Sequence, residues 1–464
     1  MKRLYVLFDA QCELCVRCRN WLIKQPAFVP LAFVALQSDE AKLRFPGIET
    51  LRPNDQLLAI SDDGSVYRGA YAWIMCLWAL RKYREHAQRL AHPILVPFAR
   101  IVCELLSRNR FFLSGGTLSA GCAKRGEKVD RSLSSAQSDL VERCSHAMKI
   151  IIAGGTGQVG TILCRAFSTA GDDVVVLTRR STPSSLCRSV QWNAETLCAW
   201  TDELEDADVV INLAGKSVNC RYGKRNRRMI VDSRVDSVRV IGRALEKAKR
   251  PPRIWLQAAT ATIYAHRFDA PNDEFTGLIG GNEPDAPDTW RFSIDVAKAW
   301  ESAVNEAALL PQTRTVIMRS AMIMSPDRDG IFATLLTLVR LGLGGRAGNG
   351  RQFVSWIHEY DFVQAISFLI ENEISGIVNV CSPNPLPNSE FMRDLRRACG
   401  TKIGMPASKW MLEIGAFFMR TESELILKSR RVIPSRLLQN GFAFRFPNWR
   451  DAAADLCARY RKTA

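Results

Sequence analysis

The chain has 464 residues, more than one hydrophobic core holds, so two or more domains are expected. Hydrophobic residues make up 47% and charged residues 24%, which excludes a disordered or low-complexity chain. Lys and Arg number 63 against 47 Asp and Glu, a formal charge of +16; the excess is spread along the chain, which argues against a dedicated nucleic-acid arm and permits phosphorylated ligands.

The first elements come quickly. Met1-Lys2-Arg3 leads into an apolar run that ends at Asp9, too brief for a secretory core. "RLYVLF" reads as a strand, Val16 to Lys24 as a helix, and "PLAFVAL" as a second strand. "QLLAISDDGSVYRGA" holds two strand-like runs around Asp62-Asp63-Gly64, a hairpin signal. Helical patterns follow at 70–85 and 94–107. The stretch "GAYAWIMCLWAL" at 69–80 is too short for a membrane span and reads as a buried helix. A β-α-β-β-β-α order within residues 1–113 predicts a small thioredoxin-like domain.

Between the first strand and the first helix lies "FDAQCELC". Its spacing sets Cys12 near a helix N-terminus, where free amides and the macrodipole favour a thiolate. Cys15, one turn on, could resolve a mixed disulfide. Cys18 continues the spacing; metal ligation and inert structural cysteines are the alternatives, but no partner CxxC or His cluster follows, and no metal is expected. Asp9, Cys12 and Cys15, with the later "LSRNRFFLSG", resemble the DCC family of thiol-disulfide oxidoreductases. Ala10 stands where that family usually has glycine, and Pro53 is a weak candidate for a substrate-presenting proline. The chain's fourteen cysteines, without a secretory signal, point to reduced thiols and a cytoplasmic setting.

Residues 114–147 are rich in Ser, Gly and charge and read as a linker, helical near its end. From Met148 the pattern changes to alternating strands and helices. "KIIIAG", "DVVVLT", "ADVVINLAG", "RIWLQAAT" and "RTVIMRS" are near-continuous apolar runs, which suit buried parallel strands in a Rossmann doubly wound sheet over 148–405. Residues 406–464 read as a C-terminal α-helical extension, giving an α/β chain of two domains and a cap.

"IIIAGGTGQVG" runs a strand into Gly154, Thr156, Gly157, Gln158, Val159 and Gly160. The first glycine permits a tight turn, the second a close approach to pyrophosphate, the third helix-on-strand packing. A strand before and a helix after make this a strong dinucleotide signal. The next strand ends in Thr178-Arg179-Arg180, with no carboxylate for a ribose 2′-hydroxyl. Arg179 suits a 2′-phosphate, so NADP is expected over NAD, with a surface arginine pair as the plain alternative. Asn212, Ala214 and Gly215 end a further strand with small residues against which a cofactor can lie. The basic run from Arg221 to Arg228 reads as a solvated helix start, with phosphate or acidic-partner contact as the alternative.

These features resemble the short-chain dehydrogenase/reductase superfamily. More narrowly, "INLAGKSV", "KRNRRMIVDSRV", "AKAWE", "GLGGRAGNGRQFVSWIHEYD", "NVCSPNPLPNSEF" and "SRRVIPSRLLQNGFAFRFP" resemble an atypical extended group, an NAD(P)-dependent epimerase family. The resemblance implies that Thr260, four residues before Tyr264, holds the substrate oxygen, and that Lys298 bonds the nicotinamide ribose. The tyrosine normally four residues before that lysine is absent: Ile294 stands there, or Ser293 in a register set by Glu301. No tyrosine lies between 265 and 359. Arg351, Gln352 and His358 are substrate-side candidates, and Asp361 is expected to cap the following helix. Two readings stand. One is an NADP-dependent oxidoreductase or nucleotide-sugar-epimerase-like enzyme acting on a small molecule that can carry phosphate; the other is a non-catalytic NADP(H)-sensing module with a redox-active cysteine domain.

Overall fold

The computed structural model describes residues 1–48, 57–91, 147–180, 187–220, 222–283, 286–307, 312–328, 330–407 and 427–463. The described residues up to 91 belong to one unit and those from 147 onward to another. Pro53, the helical pattern at 94–107, nearly all of 114–147 and Arg221 lie outside the described residues.

In the first unit, β1 (Leu4–Phe8) is followed by α1 (Glu13–Ile23), β2 (Leu31–Ala35), α2 (Asp39–Arg44), β3 (Leu58–Ser61), β4 (Val66–Arg68), α3 (Ala70–Ala79) and α4 (Arg84–Leu90). The sheet order is β2-β1-β3-β4, with β1 parallel to β2 and the other pairs antiparallel. The expected hairpin is present; Gly64 turns it with φ +85° and donates to Ser61 O at 3.0 Å. Helix α2 is an addition to the expected order. It has six residues, too few for an apolar period to show, and is held by its termini. Ser38 Oγ accepts from Ala41 N, Asp39 and Glu40 open it, and Lys42 and Arg44 close it. Helix α3 buries Ala72, Ile74, Cys76 and Leu77, as the apolar run at 69–80 implies. No helix among the described residues is long and apolar enough to cross a membrane.

The second unit runs β5 (Lys149–Ala153), α5 (Gln158–Thr169), β6 (Asp173–Thr178), β7 (Arg188–Gln191), β8 (Val209–Asn212), α6 (Lys224–Lys247), β9 (Ile254–Thr260), α7 (Asp288–Ala307), β10 (Arg314–Ser320), β11 (Met322–Met324), α8 (Ile331–Arg340), β12 (Phe353–Val354), β13 (Trp356–His358), α9 (Glu359–Glu371), β14 (Gly376–Val380), β15 (Leu386–Pro387), α10 (Asn388–Cys399), α11 (Ser435–Gln439) and α12 (Trp449–Thr463). Seven strands pair in the order β14-β10-β9-β8-β5-β6-β7, every pair parallel. Successive strand residues point to opposite faces, and both faces are covered, so the runs are apolar without alternation. Ile150, Ile152, Val174 and Val176 meet Leu163 and Phe167 of α5 and Phe362 and Ile366 of α9. Ile151, Val175 and Trp255 meet Val238 and Ile241 of α6 and Trp300 and Val304 of α7. The strand order reverses between β5 and β8, and their carboxyl ends open the crevice where a doubly wound sheet binds its ligand. A further cluster joins Phe332 and Leu336 of α8, Phe391 and Leu395 of α10, and Trp449 and Leu456 of α12.

Candidate functional site

The crevice begins where β5 ends. Gly154 has φ +77°, and a Cβ there would sit 2.9 Å from the Ala214 backbone, so only glycine lets the two loops approach so closely. A Cβ on Gly160 would meet the Gly155 backbone at 2.4 Å, which fixes how tightly α5 seats on the turn. Gly157 is extended, caps α5 without a side chain, and its carbonyl takes the first helical bond, from Thr161 N at 2.8 Å. Thr156 and Gly157 are exposed and Gln158 and Val159 half-buried, so the amides of the helix start face outward. A helix start of this shape can receive an anionic group. Gln158 Nε2 is buried without a hydrogen-bond partner among the described residues and lies against Gly330, the residue before α8.

At the end of β6, Thr178 is buried and its Oγ1 donates to Arg180 O at 3.1 Å, which turns Arg179 and Arg180 outward. Arg179 forms no ion pair with another described residue. Asn212 closes β8 from inside: Oδ1 accepts from Ala214 N at 3.0 Å, and Nδ2 donates to Gln257 Oε1 at 2.9 Å and Ser237 Oγ at 3.2 Å. Asn212 therefore shapes the Ala214–Gly215 loop from below, while Ala214 itself meets the glycine turn.

Thr260 ends β9 in register with Ser320 of β10. Its Oγ1 accepts from Thr262 N at 3.1 Å, and its own hydrogen has no acceptor among the described residues. Tyr264 lies one short turn on and is buried; its hydroxyl donates to Asn379 Oδ1 of β14 at 2.9 Å, and burial pushes its pKa up. The Arg319 guanidinium lies 4.9 Å from the centre of its ring and pairs with Glu301 through two bonds of 2.8 and 2.7 Å. On α7, Ile294 is fully buried against the Gly280–Gly281 loop, and Glu301 is spent on Arg319. Ser293 is half-buried and Lys298 exposed, with its Nζ beside Gly281.

The three substrate-side candidates differ in exposure and in what holds them. Arg351 is exposed. Gln352 is buried and donates to Ala347 O at 2.9 Å. His358 is fully buried: Nδ1 accepts from Tyr360 N at 3.0 Å, Nε2 meets Asp455 Oδ2 at 3.1 Å, and the ring stacks on Phe446 at 4.0 Å. Nδ1 thus caps α9, and Nε2 ties the end of β13 to the C-terminal helix. Helix α9 is capped by His358 rather than by Asp361; the Asp361 carboxylate instead accepts from Arg445 N and Phe446 N, both at 2.9 Å. The expectation for Asp361 rested on its place before an apolar run, whereas its partners lie in the distant C-terminal extension.

In the first unit Asp9 builds the cysteine loop. Its Oδ1 accepts from Gln11 N at 2.9 Å and Gln37 Nε2 at 2.7 Å. Cys12 is the extended cap of α1, and its carbonyl accepts from Val16 N at 3.0 Å. Cys12 and Cys15 are both free and half-buried. Burial, then a hydrogen bond with the Cys12 thiol, pushes Cys15 up to about 12, so the two sulfurs are neighbours. Cys18 and Cys76 are buried behind them, and burial raises both. No group of three or more metal-ligating side chains occurs among the described residues.

Comparison with known proteins agrees with this geometry. The model of the NAD dependent epimerase/dehydratase family matches residues 150–381. An epimerase family protein of Bacillus subtilis, YfhF, is 31% identical over 319 residues, covering 68% of this chain and all of the relative. The chain belongs to the NAD dependent epimerase/dehydratase family. Human epimerase family protein SDR39U1 is 28% identical over 317 residues, covering 67% of this chain and all of the relative. A crystal structure of human SDR39U1 with NADPH superposes with a TM-score of 0.57 at 26% identity, covering 67% of this chain and 99% of that one. The second unit is therefore an NAD(P)-binding Rossmann fold of the epimerase family. Residues 6–116 match DCC1-like thiol-disulfide oxidoreductase, and 407–456 match a domain of unknown function, DUF1731.

Within this epimerase-family unit, several residues that sequence reasoning did not single out meet near the crevice. Lys428 is buried and donates from Nζ to Thr262 O at 2.7 Å, Arg430 Nε donates to Thr262 Oγ1 at 3.2 Å, and Ser429 N donates to His266 Nδ1 at 2.7 Å. Lys428 to Arg430 thus return to the turn after β9, about 160 residues away in sequence. Arg234 of α6 lies under Gly215, donates from Nη1 to Lys216 O at 3.0 Å and Ile230 O at 2.9 Å, and stacks over Trp300 at 5.0 Å. Burial lowers its pKa to about 10. Arg227, inside the basic run, donates to Tyr222 O at 2.8 Å, pairs with Asp288 and lies 4.6 Å from the Phe292 ring centre.

Proposed function

We propose that the second unit is an NADP(H)-using oxidoreductase or epimerase-like enzyme acting on a small substrate. One observation carries the reading. Beside a glycine cradle closed on Ala214, the end of β6 presents Arg179 and no carboxylate, which suits a 2′-phosphate. Gly154, Thr156, Gly157, Gln158, Val159 and Gly160 would hold the pyrophosphate at the start of α5, with Asn212, Ala214 and Gly215 forming the opposite wall. The bound cofactor would supply hydride transfer to or from a substrate carbon. Thr260 would do the chain's own part: its oxygen accepts from Thr262 N, which leaves the hydroxyl hydrogen for a substrate oxygen gaining negative charge. Lys298 would add a positive charge at the Gly281 edge, and Arg351 would meet an acidic group on the substrate. In the first unit, a Cys12 thiolate attacking a disulfide and Cys15 resolving it would give thiol–disulfide exchange.

A second reading has its own observation. Ile294 offers no proton, and the Tyr264 hydroxyl is committed to Asn379, so the unit would bind NADP(H) and report its redox state without turning it over. One experiment separates the two: NADPH consumption by the full chain, followed by ultraviolet absorbance across a panel of aldehydes, ketones and nucleotide-linked sugars. Turnover abolished by Thr260→Val supports the enzyme. Saturable NADPH binding with no turnover on any substrate supports the sensor.

A further inference from the structure

Behind the glycine turn the structure holds a second pair of thiols. Cys164, on α5, is buried, and its Sγ faces the Gly155 carbonyl at 4.0 Å. Cys187 stands just before β7, the edge strand, and is half-buried. Its Sγ lies 3.3 Å from Ser168 Oγ. Ser168 follows Cys164 by four residues and so shares its helix face, which brings both sulfurs to one ridge of α5. Cys187 also packs against the apolar cluster that contains Cys164. Both thiols are free.

We propose that Cys164 and Cys187 form a reversible disulfide by exchange with a protein or low-molecular-weight disulfide. Cys187 is the entry point, because it reaches solvent and Cys164 does not. Its thiolate attacks one sulfur of the incoming disulfide, forms a mixed disulfide and releases the first thiolate. Cys164 then attacks the Cys187 sulfur, yielding its proton to the departing thiolate, and the second half leaves as a thiol. Two protein thiols and one external disulfide thus become one protein disulfide and two external thiols. Burial, followed by the neighbouring Cys187 thiol, raises Cys164 to about 12, so it attacks poorly on its own and acts only against a sulfur already held beside it. The bond would staple α5 to the strand beside β6 and withdraw the Cys164 thiol from the Gly155 carbonyl.

The test is to treat the full chain with oxidised glutathione, block remaining thiols by alkylation, digest without reduction and read the peptides by mass spectrometry. The expected result is a linked pair holding Cys164 and Cys187, which separates on reduction. In Cys164→Ser the glutathione should stay trapped on Cys187; in Cys187→Ser, Cys164 should carry no glutathione. Alkylated Cys164 beside a stable glutathione adduct on Cys187 in the unaltered chain would overturn the proposal, as would alkylation of both. These outcomes do not depend on nucleotide binding, so a failure here is distinct from a failure of the NADP(H) reading.

Discussion

At Gly154 the chain leaves β5 with φ +77°, a conformation that costs an L-residue about 1–2 kcal/mol before any contact is counted. The Ala214 backbone, 2.9 Å from where a Cβ would stand, adds a clash that no rotamer relieves. Gly154→Ala is therefore expected to lower the melting temperature and to remove nucleotide binding; unchanged binding would show that the turn is not the cradle. His266 supplies a pH-dependent test. Burial, with the positive charges of Lys428 and Arg430 nearby, holds its pKa below the ordinary 6.5, and its Nδ1 accepts from Ser429 N. A depressed folded pKa means that the unfolded chain takes up the proton first. The neutral ring's contribution is thus full above about 6.5 and is lost as pH falls through the lower folded value. His266→Gln should flatten the fall in melting temperature between neutral pH and mild acid, and parallel curves for the two proteins would refute that assignment.

The elements differ in how openly the sequence announces them. The strands of the second unit are legible because burial on both faces leaves continuous apolar runs, and the glycine turn because its constraint is local backbone geometry. Helix α2 is hidden because six residues carry no apolar period and depend on the Ser38 cap. His358 stands out as one of five histidines, but what occupies its ring, Asp455 and Phe446, lies some 90 residues away. Asp361 misleads for the same reason: its backbone partners are in the C-terminal extension. Arg430 and Arg234 sit in stretches that mark the family, but nothing local announces their partners or those of Lys428, which tertiary packing supplies. The α1 terminus yields a prediction of its own. With Cys15 raised to about 12 by burial and by the Cys12 thiol, iodoacetamide near neutral pH should label Cys12 well before Cys15, as read from digested peptides. Equal labelling of the two would contradict the division into attacking and resolving thiols.

Across the whole molecule, the chain joins a DCC1-like thiol-disulfide oxidoreductase region to an NAD(P)-binding epimerase-family fold followed by a DUF1731 segment. The part of that segment after residue 426 is not an appendage: Lys428 and Arg430 bond the turn after β9, and Asp455 bonds His358. The positive balance of +16 is consistent with an acidic, phosphate-bearing ligand set, of which NADP(H) is the proposed member. The most direct measurement is a calorimetric titration of the full chain with NADPH and with NADH, repeated on Arg179→Ala. NADPH is expected to bind more tightly, with the substitution weakening it by roughly tenfold or more, the usual effect of losing a charged hydrogen bond, and leaving NADH nearly unchanged. Equal affinity for the two nucleotides, untouched by the loss of Arg179, would contradict the NADP(H) reading.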